Sequence, residues 1–312
     1  MTRRILVPLD GSLASEAALW HATAVVDAMA EGLLLLRVLH PGGGDDEEGI
    51  ENRFLRTEAT AYLDQMAERL SEQGTDVTTT VAVGGVADEI VRHSEREDVA
   101  MVVLTSHGGG AASAFSLGGT AQKVLSRLET SVMVVRPEAA GARSASAIHY
   151  DRVLVPVDGS TASEWALFPA ASIAQRHAAT LHVLHVMPET PRTGDRLPPT
   201  SEEEDLLERL TRIRYERGER YLREIEHTLT RDDLRVEGRL LQTPDAAEEV
   251  TSIATEPDVD LIALDARCAT NARVRLGSVA RALLDGCRAP IIVLQGGQYA
   301  SGREAARGSS RG

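Results

Sequence analysis

Apolar residues along this chain fall into short unbroken runs, separated by longer stretches in which they recur at helical spacing. In the first half the runs open with Ile5-Leu6-Val7, continue through Leu33 to Leu39 (interrupted only by Arg37) and Val99 to Leu104, and end with Ser131 to Val135. Asp76 to Val83 instead alternates apolar with polar. Runs of this length bounded by turn residues predict buried strands, and the alternating segment predicts a half-exposed one. Between them, Ser12 is placed to cap a helix running to about Met29, with Ala17, Ala18, Ala24, Val25 and Ala28 as its apolar stripe. An amphipathic helix over 52–73 closes at Gly74, a shorter one covers 86–97, and Gly118-Gly119-Thr120 opens another to about Leu128. Strands alternating with helices predict a parallel sheet covered on both faces, with right-handed crossovers.

The pattern then starts again. Ile5 to Leu19 (ILVPLDGSLASEAAL) returns as Val153 to Leu167 (VLVPVDGSTASEWAL), 148 positions later, with 11 of 15 positions identical. Each copy reads as a strand, an Asp at its carboxyl end, a Gly-Ser turn and a helix. Leu181 to Val186 repeats the second strand. Beyond it the offset grows to 159, so the second copy is 11 residues longer between Val186 and Pro244. That length holds a Pro-rich loop and a strongly charged helix from about Ser201 to Thr230, whose Glu and Arg runs read as a solvated face or as cover for a partner. Pro169 falls inside the first helix of the second copy and predicts a kink or restart. The expected organisation is therefore a first domain over 1–137, a linker over 138–149, a second domain over 150–295 and a Gly-, Ser- and Arg-rich disordered tail over 296–312. Each domain is expected to be α/β, Rossmann-like and doubly wound, with a five-stranded parallel sheet.

Composition narrows the partners. A formal net charge of −14 argues against a nucleic-acid backbone. No apolar run reaches membrane-spanning length, and the run after Met1-Thr2-Arg3-Arg4 is too short for a signal peptide. Two cysteines, Cys268 and Cys287, make neither a disulfide framework nor a zinc site and fit a reducing cytoplasm. The acidic run Asp45-Asp46-Glu47-Glu48 reads as a solvated loop rather than a cation site.

Three features of the first half converge. Asp10 ends the first strand, Val38 ends the second, and Thr105-Ser106-His107-Gly108 follows the fourth. In a doubly wound sheet these carboxyl ends open on one crevice. Gly108 allows close backbone approach, and a helix starting at Gly118-Gly119-Thr120 presents bare amides to an anion. Asp10 suits a ribose hydroxyl or a base amine. The combination suits a nucleotide, with the nucleoside near Asp10 and Val38 and the phosphates over 108–120.

With these motifs the chain resembles a tandem universal stress protein. Both copies carry the Val-Pro-Xaa-Asp-Gly-Ser opening of that family. ATP-binding members also carry Gly, two residues, Gly, nine residues, Gly, then Ser or Thr. The resemblance implies an ATP site in the first half at Pro8, Asp10, Gly11, Ser12, Val38, Thr105, His107, Gly108, Gly118, Gly119 and Thr120, with or without Mg²⁺. The spacing from Gly108 to Gly118 is kept. Thr105 replaces the first Gly, and Gly119 stands where the hydroxyl residue belongs, with Thr120 one step later. The second half keeps Asp158, Val186, Gly277 and Ser278, while Leu264 and Arg267 replace the first two glycines, so a weaker or closed second site is expected. The family also implies pairing of the final strands, here Ser131 to Val135 with Pro290 to Leu294, as an intrachain pseudo-dimer compatible with a further homodimer. The function implied is a cytoplasmic, ATP-binding stress-response regulator or sensor. The alternatives are a ligand-free interaction module and a slow ATP hydrolase. The hydrolase reading is weakened because Lys123, the only Lys, falls inside a helix rather than at a Walker-type position. His107, His40, His182 and His185 are expected to be structural, Cys268 an inert thiol, and Trp20 and Trp165 packing residues.

Overall fold

A computed structural model of the chain describes residues 3–40, 50–96, 98–107, 117–136, 148–189, 200–230, 233–266 and 276–295. The acidic run 45–48, Gly108, Arg267, Cys268, the Pro-rich loop, most of the linker and the tail lie outside these residues.

The first half runs β1 (Arg4–Pro8), α1 (Leu13–Met29), β2 (Gly32–Leu39), α2 (Ile50–Ser71), β3 (Val77–Val83), α3 (Val86–Ser94), β4 (Val99–Thr105), α4 (Gly119–Leu125) and β5 (Ser131–Val135). The second runs β6 (Arg152–Val157), α5 (Thr161–Glu164), α6 (Leu167–Arg176), β7 (Thr180–Pro188), α7 (Ser201–Leu229), β8 (Arg235–Thr243), α8 (Ala246–Ala254), β9 (Leu261–Asp265), α9 (Ser278–Gly286) and β10 (Ile291–Leu294). Two helices stop earlier than the periodicity predicts. The helix expected over 86–97 ends at Ser94, and the one expected to reach Leu128 ends at Leu125, where the chain turns. The helix predicted across Pro169 is broken into α5 and α6. Pro169 lies in the first turn of α6, where an amide has no intrahelical acceptor to lose.

The ten strands form one sheet in the order β3-β2-β1-β4-β5-β10-β9-β6-β7-β8. Neighbours within each half are parallel. The exception is the central pair, β5 and β10, which run antiparallel with Val134 opposite Ile291, Met133 opposite Ile292 and Val132 opposite Val293. Reversal at this seam points the carboxyl ends of the first five strands one way and those of the second five the other. The two crevices therefore open at opposite ends of a continuous sheet.

Strand alternation feeds two cores. Ile5, Val7, Met101 and Val103 lie on the sheet face covered by α1, α2, α6 and α7, while Leu6, Val102 and Leu104 lie on the face covered by α3, α4, α8 and α9. Both clusters cross the seam. On the first face α1 packs against α6, and Tyr150 is almost fully buried beside them. The Tyr150 hydroxyl meets His21 Nδ1 at 2.8 Å, its backbone N–H donates to His177 Nδ1 at 3.4 Å, and His177 Nε2 lies 2.8 Å from the Ala24 carbonyl. That last contact makes Nε2 the protonated nitrogen. Arg176 and Asp27 pair at 3.0 Å on the rim. No helix among the described residues is long and apolar enough to cross a membrane.

Candidate functional site

In each half the strand order reverses sense beside its first strand: β2 and β4 flank β1, and β7 and β9 flank β6. Open α/β sheets form their ligand crevice at this switch point. In the first half it brings together the end of β1 with Asp10, the end of β2 with Val38, the end of β4 with Thr105 to His107, and the start of α4.

The Asp10 turn is built by local hydrogen bonds. Gly11 takes φ +82°, a left-handed conformation that a side chain disfavours, and a Cβ there would lie 2.8 Å from Arg37 Nη1. The chain then turns back so that the Ser12 amide donates to Asp10 Oδ1 at 2.9 Å and the Ser12 hydroxyl at 2.5 Å. Ser12 caps α1 by accepting from the Ser15 amide at 3.2 Å. The buried Ser15 hydroxyl receives the Asp10 amide at 3.3 Å and donates to the Ser12 carbonyl at 2.8 Å. Burial alone would raise the Asp10 pKa. The Ser12 donors, aided by Ser15 and the Arg37 charge, outweigh it and hold the carboxyl below its ordinary value. Asp10 is thus an ionised, solvent-exposed acceptor at the mouth of the crevice.

Across the mouth, buried Ser106 joins two strands to a helix. Its amide donates to Val135 at 2.7 Å, and its carbonyl accepts the Gly118 amide at 2.8 Å. Gly118 precedes α4 in extended conformation without a side-chain cap. A Cβ on Gly118 would meet the Ser106 carbonyl at 3.2 Å, whereas one on Gly119 would meet nothing within 4 Å among the described residues. Gly119 and Thr120 are exposed at the first turn of α4. His107 lies beside Ser106 Oγ at 3.1 Å, and burial, with Arg136 nearby, lowers its pKa and favours the neutral ring.

Beneath Asp10 lies a second cluster, on the opposite face of β2 from Val38. Arg37 donates to the Leu9 carbonyl at 3.4 Å and covers the Tyr62 ring at 5.7 Å from its centroid. The Tyr62 hydroxyl donates to Glu16 at 3.4 Å, and its pKa is pushed up to about 12 by burial and then by the Glu16 charge. The second half repeats the arrangement with His185 for Arg37 and Tyr221 for Tyr62. His185 Nδ1 lies 3.2 Å from the Val157 carbonyl, and the two rings meet edge-on at 4.9 Å. Sequence patterning overlooked both clusters. Its only signal was a polar residue immediately before Val38 and Val186, which alternation sends to the other face.

The second crevice differs from the sequence expectation at one point. Leu6 pairs with Val102 and Leu154 with Ile262, so Asp265, not Leu264, occupies the place of Thr105. Leu264 is buried in the core and does not reach the crevice. The loop from Asp265 to Gly277 is one residue shorter than that from Thr105 to Gly118. Asp158 keeps its Ser160 donor at 2.9 Å and a lowered pKa, against the opposing effect of burial. The second crevice thus carries two carboxylate residues at adjacent strand ends. Gly277 and Ser278 open α9 as expected, and Val186 is buried at the end of β7. Among the described residues no group of three or more His, Cys, Asp or Glu side chains is placed to hold a metal ion.

The universal stress protein family model matches twice, over residues 1–136 and 149–295. The chain belongs to the universal stress protein family. A universal stress protein from Methanocaldococcus jannaschii is 28% identical over 155 residues, which is 44% of this chain and 96% of that protein. Among solved structures, a universal stress protein from Archaeoglobus fulgidus aligns over 95% of this chain and 100% of its own, with a TM-score of 0.64 and 20% identity. A functionally unknown protein from Pseudomonas aeruginosa aligns over 98% of both chains, with a TM-score of 0.66 and 18% identity. At these identities the two structures speak for the fold alone. That fold is a mostly parallel α/β sheet in which the family unit occurs twice.

Proposed function

We propose that this universal stress protein binds ATP through its first half and serves as a nucleotide-dependent regulator or sensor in a cytoplasmic stress response. The observation that carries this reading is the asymmetry of the two crevices. In the first, an exposed ionised Asp10 shares the crevice with an uncapped helix start at which Gly119 and Thr120 are exposed. In the second, Asp265 adds a carboxylate to Asp158 on the neighbouring strand. Asp265 ends the strand that leads into the loop before α9, where a carboxylate opposes a phosphate group, whereas Asp10 ends the first strand, at the nucleoside end. The first crevice fits the ligand: Asp10 accepts from a ribose hydroxyl or base amine, and the amides of Gly119 and Thr120 meet phosphate oxygens. Lys123, the only Lys, lies in the last turn of α4 rather than at its start, which supports binding over rapid hydrolysis.

A regulatory role requires that ATP bind one conformation better than another. The structure offers a short route for such coupling, since Ser106 joins the mouth of the crevice to β5, the seam strand. Mass spectrometry of the purified, denatured protein tests the reading. It should release adenine nucleotide, and ATP with Mg²⁺ should raise the thermal midpoint of stripped protein. No nucleotide and no shift would leave an interaction module in its place.

A further inference from the structure

The seam strands of the two halves end in different residues at equivalent places. Val135 pairs with Thr105 at the end of β5, and Leu294 pairs with Asp265 at the end of β10. The next bonds repeat as well: the Ser106 amide donates to the Val135 carbonyl at 2.7 Å, and the Ala266 amide to the Leu294 carbonyl at 2.9 Å. The residue that follows is Arg136 in the first half and Gln295 in the second. The duplication keeps the backbone here and changes the charge.

Register fixes where that charge sits. β4 and β5 are parallel neighbours, so Arg136 leaves β5 beside Ser106 and His107, where the chain enters the loop that returns at Gly118. Burial and then the Arg136 charge lower the His107 pKa, so the guanidinium lies within electrostatic reach of that ring. The Arg136 side chain donates to the Leu284 carbonyl in the last turn of α9. That carbonyl is one of the four that a helix end leaves without an intrahelical donor, at the negative end of the helix dipole. Because α9 starts at the second crevice, a side chain at the first crevice holds the far end of the helix that opens the other. The Gln295 backbone crosses the seam the opposite way, its amide donating to Ser131 Oγ at 3.0 Å. Arg136 is half-buried but stays charged, since arginine does not lose its proton in proteins. Partly removed from water, it attracts an anion more strongly than an exposed cation does.

We infer that Arg136 is a phosphate-recognising residue of the first crevice, which exchanges the Leu284 carbonyl for phosphate oxygens when a nucleotide binds. The inference rests on the ATP reading above and adds to it a residue outside the Gly-rich pattern. The planar fork of an arginine matches two phosphate oxygens at once. The exchange frees the last turn of α9, so occupancy of the first crevice is felt across the seam. Uncharged Gln295 gives the second crevice no such group.

Calorimetric titration of the full chain with ATP and with adenosine tests this. Arg136→Gln, which installs the residue of the second half, should weaken ATP about 10- to 100-fold and leave adenosine within about twofold. Arg136→Lys keeps the charge without the fork and should lose about 3- to 10-fold. Hydrogen exchange reads the other end: ATP should speed exchange of the Cys287 amide, which donates to the Leu283 carbonyl at the end of α9, in the unsubstituted protein and not in Arg136→Gln. ATP affinity indifferent to Arg136→Gln would overturn the inference and leave the ATP reading standing. Equal losses for ATP and adenosine would also overturn it, marking Arg136 as a brace between the halves. Unchanged exchange at Cys287 in the ATP-saturated, unsubstituted protein would overturn it whatever the stability of the variants. An unsubstituted protein that binds no ATP would remove the ATP reading and this inference together.

Discussion

Substituting Gly118 and Gly119 separately probes the crevice with one chemical change at two adjacent positions. Gly118 sits at φ −63°, ψ 156°, which any residue adopts. Alanine there costs nothing in backbone strain and narrows the unfolded ensemble, a gain of about 0.4–1 kcal/mol. Against this, its Cβ would sit 3.2 Å from the Ser106 carbonyl and 3.5 Å from His107 Cδ2, a few tenths of an ångström too close to the carbonyl. Mild overpacking of this kind costs about 1 kcal/mol. Folding stability should therefore change by less than about 1 kcal/mol. Binding should change more. The adjustment displaces the 2.8 Å Gly118–Ser106 bond that positions the first turn of α4. Losing one hydrogen bond to a charged phosphate costs about 1.5–3 kcal/mol, or roughly 10- to 150-fold in Kd. Gly119→Ser meets nothing within 4 Å among the described residues and returns a hydroxyl to the helix start, so affinity should hold or improve. Calorimetric titration with ATP and Mg²⁺, alongside thermal unfolding of each variant, reads both quantities. Equal affinity for Gly118→Ala and the parent, or equal losses from both substitutions, would refute the placement of phosphate at α4.

Tyr150→Phe leaves His21 Nδ1 without its cross-seam hydroxyl and should cost about 1 kcal/mol, a Tm drop of about 2–4 °C by calorimetry; an unchanged Tm would mean that this bond does not hold the halves together. Burial lowers the His177 pKa below its usual 6.5, so the unfolded chain takes up the proton first and stability is lost as pH falls through and below that value. Denaturant midpoints at about pH 7.5 and 5.5 should show a larger acid loss in the parent than in His177→Gln, and equal losses would remove His177 as the cause. Gly11→Ala forces a side chain into φ +82° and against Arg37; it should destabilise by about 1–2 kcal/mol in chemical denaturation, and a neutral result would show that the Asp10 turn relaxes freely.

The apolar runs made the strands and their order legible, because a strand buried on both faces leaves little room for polar residues between Leu33 and Leu36 or Val99 and Leu104. The duplicated Asp-Gly-Ser turn located both crevices for the same local reason: Ser12 and Ser160 must cap a helix one residue after a left-handed Gly. The misplacement of Leu264 came from carrying one offset through a loop that had lost a residue. Only the pairing of β6 with β9 reveals that Asp265 faces the crevice. The Arg37–Tyr62 pair joins a strand to a helix 25 positions later, a contact that periodicity within either element does not encode. The final-strand pairing rested on family resemblance, and the antiparallel β5–β10 register shows how it is made.

The central claim is that a duplicated fold carries one working nucleotide site, in its first half. Calorimetric titration of the full chain and of two variants tests it most directly. Binding of one ATP per chain, abolished by Asp10→Ala and unaltered by Asp158→Ala, is the predicted result. Two ATP per chain, or a loss of binding caused by Asp158→Ala alone, would contradict it.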